Sequence, residues 1–222
     1  MSQQSHPSLA PEEVAEIRES LSDLSSRGSL IYETKGQTIH RFQAADRDLI
    51  AKSYQLNSLA RKAAAVFKYS RAHRSYRAGT RFLDAGIKTP IPLLLETKGT
   101  FPSSATLVTE FCPFPALRES LVENAPVHPS SPEKILILLH QLLSTRCSHG
   151  DFHARNLLVD DEGNPHLIDL DGVKHHSDSA KLTRYICADR DRFLRSLEPL
   201  PEYHQKFGSV LGDPGTSLPN TL

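Results

Sequence analysis

The stretch Ser148–Val173 (SHGDFHARNLLVDDEGNPHLIDLDGV) gathers side chains whose types and spacing suit chemistry on a phosphate. Asp151 stands on a predicted loop after a long apolar segment, and Asn156 follows five residues later. Asp169 comes thirteen residues after that, at the end of the second strand of a predicted hairpin. Phosphoryl transfer needs one carboxylate to accept or orient the proton of an attacking hydroxyl, and a hard-oxygen ligand set to hold a divalent cation across the phosphates. An amide carbonyl with a carboxylate suits Mg²⁺, which takes few protein oxygens and completes its shell with water and phosphate. The hairpin between them would fix both on one frame.

The same stretch admits other readings. His149, His153 and His166 with Asp151 could be zinc ligands, although no further ligand spacing supports that. His149 is expected instead to brace the loop through hydrogen bonds. His175 and His176 read as part of a solvated turn.

The elements that must position these groups follow from pattern. Pro11, then Val14, Ile17, Leu21 and Leu24, predicts a helix with acids Glu12 and Glu13 at its positive end. Leu30–Arg41, interrupted by Lys35-Gly36-Gln37, reads as a hairpin, and Asp48–Tyr54, which contains Lys52, as a further strand. From Leu56 to Ala85 the pattern is helical and basic, with eight Lys or Arg and the single acid Asp84 between Arg61 and Lys88. Arg71, Arg74 and Arg77, three apart, line one side. They read as a wet face, or as a contact for an anionic headgroup or acidic sugar. Leu93–Glu96 and Ala105–Phe111 are predicted strands, and Cys112-Pro113-Phe114-Pro115 a linker. Ser131-Pro132-Glu133 opens a helix to about Ser144 that is apolar nearly all round and expected buried. Leu157–Val159 and His166–Leu170 flank a turn, Asp160–Pro165, and a last helix spans about Ser179–Leu197. The start, 1–10, and the tail from Pro199 read as loose.

Composition bounds the class. The 222 residues include 38% hydrophobic and 23% charged side chains, enough apolar matter for a core. Lys plus Arg and Asp plus Glu are 26 each, which argues against a surface built to grip nucleic acid. The longest aliphatic run, Ile135–Leu139, falls far short of the ~20 residues of a membrane span. MSQQSHPSLAPEE lacks the basic start and apolar run of a secretory signal. Cys112, Cys147 and Cys187, odd in number and far apart, predict reduced thiols in a cytosolic protein.

HGDFHARN followed by LIDLDG resembles the catalytic and metal-binding loops of the protein-kinase-like superfamily. Within it the chain is similar to the small bacterial lipopolysaccharide kinases that phosphorylate Kdo or heptose in the inner core. Their pattern is HGDxHxxN followed by IDxD rather than DFG. The resemblance covers roughly residues 30–195. It implies an α+β, two-lobed protein-kinase-like fold with a small mixed N-lobe and a reduced, mostly helical C-lobe. The expected divisions are an N-terminal helical extension (1–28), N-lobe (29–111), C-lobe (112–198) and flexible tail (199–222). It further implies Asp151 as catalytic base, Asn156 and Asp169 as metal ligands, Lys52 on the α- and β-phosphates, and a hinge whose backbone near Glu110 and Cys112 meets adenine. ATP and Mg²⁺ are the implied cofactors, and a glycolipid or sugar the acceptor. A cytoplasmic enzyme follows, touching the inner surface of the inner membrane, with Asp171 adding charge near a second metal or the sugar.

The chain departs from the pattern in two places. No Glu lies between Lys52 and Leu95, and Ser75 stands where kinases place the glutamate that pairs with the lysine. Another carboxylate, Asp169 being the candidate, would then orient Lys52, or the arrangement differs. Only Gly36 appears where a phosphate-covering loop has several glycines. These departures keep a nucleotide-binding pseudokinase or scaffold open as an alternative, and the HGDxHxxN pattern is shared with small-molecule (aminoglycoside-like) kinases. The absence of an APE-like element argues against protein substrates.

Overall fold

The computed structural model describes residues 3–99, 102–123, 125 and 127–219. The chain forms two compact units, Met1–Thr80 with Pro90–Cys112, and Arg81–Thr89 with Pro113–Leu222.

The first unit contains β1 (Gln3–Ser5), α1 (Pro11–Ser22), α2 (Leu24–Arg27), β2 (Ser29–Thr34), β3 (Gln37–Ala44), β4 (Arg47–Gln55), α3 (Leu59–Val66), most of α4 (Arg71–Asp84), β5 (Pro92–Lys98) and β6 (Ser104–Glu110). Its strands form one antiparallel sheet in the order β1-β5-β6-β4-β3-β2. Successive residues of a strand face opposite ways, so Leu107 and Val108 fall into different apolar clusters. Val108 joins Leu49, Ala51 and Leu94 under Val14, Ile17 and Leu21 of α1. Leu107 joins Tyr54, Leu95 and Ala105 with Ala65 of α3 and Ala72 of α4.

Two expectations are corrected here. Gln3–Ser5, within the stretch read as loose, adds an edge strand to β5, using backbone pairing that leaves no side-chain pattern. The single helix expected over Leu56–Ala85 is two. Lys68 at φ 59° ends α3, with its N–H on the Ala65 carbonyl and that of Tyr69 on Ala64 (2.6 Å), a Schellman closure made without glycine. Ser70 then bonds the His73 N–H at 3.4 Å and starts α4.

The second unit comprises the last turn of α4, α5 (Leu117–Val122), α6 (Ser131–Ser144), β7 (Cys147–Ser148), β8 (Leu157–Val159), β9 (Pro165–Leu167), β10 (Lys174–His175), α7 (Ser179–Leu197) and α8 (Pro201–Leu211), with single 3₁₀ turns at Ala154–Asn156 and Leu170–Gly172. Ile135, Leu138, Leu139 and Leu142 bury most of α6, while Ile137 remains exposed. The flexible tail expected from 199 is ordered helix over Pro201–Leu211. Proline tolerates the first helical position, and Phe207 and Leu211, four apart, are fully buried. Of the Pro and Gly that suggested looseness, Pro201 opens this helix and Gly208 lies within it, while the others flank it; positions 1–2 and 220–222 of the expected loose ends lie outside the described residues.

Candidate active site

In the second unit the loop bearing Asp151 is built from its buried members outward. His149 is fully buried. Its Nε2 donates to the Ile168 carbonyl at 3.0 Å, and its Nδ1 accepts the Asp151 N–H at 3.3 Å. Both ring nitrogens are thus committed and the tautomer is fixed. An accepting Nδ1 makes the ring neutral, and burial pushes the His149 pKa down in the same sense. The bracing role expected of His149 is therefore present, and the zinc reading loses this ligand. His166 is directed elsewhere, with Nε2 3.3 Å from Asp160 Oδ2. Among the described residues no group of three or more His, Cys, Asp or Glu is placed to hold a metal ion.

Gly150 follows at φ 83°, a conformation that favours glycine. A Cβ there would stand 2.7 Å from the Gly172 carbonyl oxygen, so the Asp151 loop and the turn after Asp169 meet backbone to backbone. The Asp151 loop is anchored on α7. The Asp189 carboxylate, 1% exposed, accepts the His149 N–H at 2.7 Å and the Gly150 N–H at 3.0 Å. Burial raises the Asp189 carboxyl to about 6 despite these bonds and Arg192 at 3.2 Å. Asp189 was not singled out from the sequence. It lies forty residues from His149 and serves backbone amides, so no local motif marks it.

Asp151 itself projects to solvent, its side chain 53% exposed. Asn156 Nδ2 donates to the Asp151 carbonyl at 2.9 Å, which turns the amide's carbonyl end to other use. The Asn156 backbone carbonyl accepts the Ile168 N–H at 3.0 Å, and β8 pairs with β9 through Leu157 and Leu167. Asp169, next in the chain, adopts the left-handed conformation (φ 57°, ψ 59°) and opens the turn that contains Asp171. The structure thus ties Asp151, Asn156 and the residue before Asp169 into one hydrogen-bonded unit. An amide oxygen and a carboxylate on such a frame fit the donor set that Mg²⁺ prefers. The hairpin turn is stiffened by Asp160. Its burial favours the neutral form, but bonds from Asn164 and Lys88 win and hold the carboxyl far below its ordinary range.

His176 corrects another expectation. It is buried, with Nε2 2.8 Å from Ser148 Oγ and its ring stacked on Tyr185 at 4.7 Å between centroids. The pairing of β7 with β10 carries it inward.

The remaining candidates belong to the first unit. Lys52 lies at the middle of β4, opposite Ile39 and Leu107, with Nζ 5.5 Å from the Tyr54 ring centroid. Glu110 ends β6; its N–H donates to Ile91 and its carboxylate meets Arg47 at 2.6 Å. Cys112 is half-buried, and burial together with Glu110 raises its thiol pKa. Ser75 is buried on α4.

The family model for the lipopolysaccharide kinase (Kdo/WaaP) family matches residues 23–206. The chain belongs to this family. The family is one of lipopolysaccharide kinases. Among solved structures it is similar to monomeric WbdD, with a TM-score of 0.55 and 18% identity over 96% of this chain and 45% of that one. It is also similar to WbdD in complex with the kinase inhibitor LY294002, with a TM-score of 0.54 and 21% identity over 77% of this chain and 37% of that one. These likenesses show a kinase-like fold. The chain spans less than half the length of those solved chains. No curated protein matches the sequence. Among the described residues no helix is long and apolar enough to cross a membrane.

Proposed function

We propose that this lipopolysaccharide kinase family member transfers the γ-phosphoryl group of ATP to a hydroxyl of a core sugar, Kdo or heptose, with Mg²⁺ bound. The observation that carries this reading is the lacing of the Asp151 loop to the strand before Asp169, through His149 to Ile168 and Ile168 to Asn156, each at 3.0 Å. Asp151, exposed at the loop tip, would accept or orient the acceptor hydroxyl proton. Asn156 and Asp169 would hold the cation, which when bound supplies charge neutralisation on the phosphates. Lys52 would take the α- and β-phosphates, and backbone near Glu110 and Cys112 the adenine. In these terms 29–111 is the N-lobe and 112–198 the C-lobe.

Contact with the inner face of the inner membrane is supported by residues 59–69. There Leu59, Val66, Phe67 and Tyr69 are exposed alongside Arg61, Lys62 and Lys68. Apolar side chains with basic neighbours suit an anionic bilayer surface, each cation contributing ~1 kcal/mol.

The test is ATP consumption and phosphate incorporation by the purified full chain on a panel of core oligosaccharides. Asp151→Asn should lower turnover about 10²–10⁴-fold with an unchanged melting temperature. The buried Ser75 in place of the usual glutamate favours the second reading, a nucleotide-binding scaffold. ATP binding with no incorporation on any acceptor would establish that one.

A further inference from the structure

Beside the Asp151 loop, within the second unit, lies a cavity of about 350 Å³ whose lining includes Arg118, His153, Arg155, Arg192, Arg195 and Ser196. Pockets that hold sugar-sized ligands run to roughly 300–1,000 Å³. The residues come from three segments: Arg118 from α5, His153 and Arg155 from the 3₁₀ turn after Asp151 and its approach, and the rest from α7. Ser196 joins them. Its Oγ accepts the Ala154 N–H at 3.1 Å, and its carbonyl accepts from Arg118 at 2.9 Å. Arg192 and Arg195 are three apart on α7 and share a face.

The charge is unbalanced. Arg192 pairs with Asp189 at 3.2 Å and stands 4.0 Å from Asp151 Oδ1. Arg118, Arg155 and Arg195 have no carboxylate partner among the described residues. Converging guanidiniums repel one another, and the arrangement becomes favourable when an anion enters. Guanidinium forks match carboxylate and phosphate oxygens bidentately. The cavity also borders the reacting group, since His153 Nε2 lies 3.4 Å from Asp151 Oδ2.

We infer that this pocket binds an anionic group on the acceptor, a carboxylate or a phosphate, and so presents a neighbouring hydroxyl to Asp151. The inference rests on the role proposed for Asp151 and deepens it: the substrate class is an acidic saccharide rather than a neutral one. Arg155 and Arg195 are exposed and lack a carboxylate partner among the described residues, so they carry the test.

Three forms of one core oligosaccharide serve as acceptors: carboxylate intact, carboxylates methyl-esterified, and esterified but bearing a phosphate monoester. In the wild-type chain kcat/KM should favour an anionic form over the fully esterified one. In the Arg155→Gln/Arg195→Gln double variant that preference should fall by about tenfold or more, and a Lys double variant should restore part of it. Whichever anionic form loses its advantage identifies the group bound. Calorimetric titration of each oligosaccharide into the full chain with the nucleotide supplies a readout independent of turnover, and the double variant should lose the binding difference between forms. No preference in the wild type, or a preference unchanged in the variant, overturns the inference. Turnover that survives Asp151→Asn overturns the reading of Asp151 instead and leaves the titration to decide the pocket.

Discussion

The carboxylate of Asp189 on α7 accepts the backbone N–H of Gly150 at 3.0 Å, so the Asp151 loop hangs from a helix thirty-nine residues downstream. A buried acceptor of two backbone donors is costly to remove, because both amides lose their partner without gaining water. Asp189→Ala should cost about 2–4 kcal/mol by urea unfolding and reduce turnover with it.

Asp189→Asn tests the charge itself. The carboxyl is raised to about 6 from 3.8, so its contribution to stability is present below pH 3.8 and is lost as pH rises through 6. Asn does not titrate. The stability of wild type relative to Asp189→Asn should therefore fall between pH 4 and pH 7, by up to ~3 kcal/mol. A difference independent of pH would show that the carboxyl is not raised.

His149 works in the opposite sense. Burial lowers its pKa, so its contribution is intact above about pH 6.5 and declines as the solution is acidified and the ring is forced to charge. ¹⁵N spectra at neutral pH should show a neutral imidazole protonated at Nε2, the nitrogen that donates to Ile168. An imidazolium signal, or protonation at Nδ1, would contradict the hydrogen bonding of the loop.

Gly150 and Gly36 should respond differently to the same methyl group. At Gly150 the added Cβ meets a carbonyl oxygen at 2.7 Å and the backbone sits at φ 83°. Gly150→Ala should lose roughly 2–4 kcal/mol. At Gly36 the Cβ meets nothing within 4 Å. Gly36→Ala should leave the midpoint of unfolding within about 1 kcal/mol.

Phe207 of α8 packs edge-on against Phe193 of α7, with ring centroids 5.4 Å apart, and Phe193 in turn meets Phe152 beside Asp151 at 5.8 Å. Phe207→Ala should cost about 3–5 kcal/mol. Native-state hydrogen exchange should also show faster exchange of loop amides at 149–152, since the aromatic stack under the loop would loosen.

These relationships divide by how far apart in sequence their partners lie. Asp151, Asn156 and Asp169 were legible because all three fall in one short stretch whose loop, strand and turn signals are local. The strands around Lys52 were legible from alternation, and α1 from the spacing of Val14, Ile17 and Leu21. Asp189 was not, because its work is done on backbone amides that any sequence supplies. The arginine pocket escaped for a related reason: Arg118, Arg155 and Arg195 are unremarkable singly and converge only when α5, the 3₁₀ turn and α7 are assembled. The tail from 199 misled because a proline opens and a glycine interrupts a helix whose buried side chains are only a pair four residues apart, Phe207 and Leu211.

The left-handed backbone at Asp169 narrows what evolution can put there. Apart from glycine, asparagine and aspartate are the residues that adopt such a conformation most readily. Aspartate alone of these brings a negative charge. Exchange for either of the others, each one nucleotide away, would keep the turn well formed while removing the carboxylate proposed to hold the cation. A descendant that has given up that proposed ligand and kept its shape is therefore only one short mutational step from this chain.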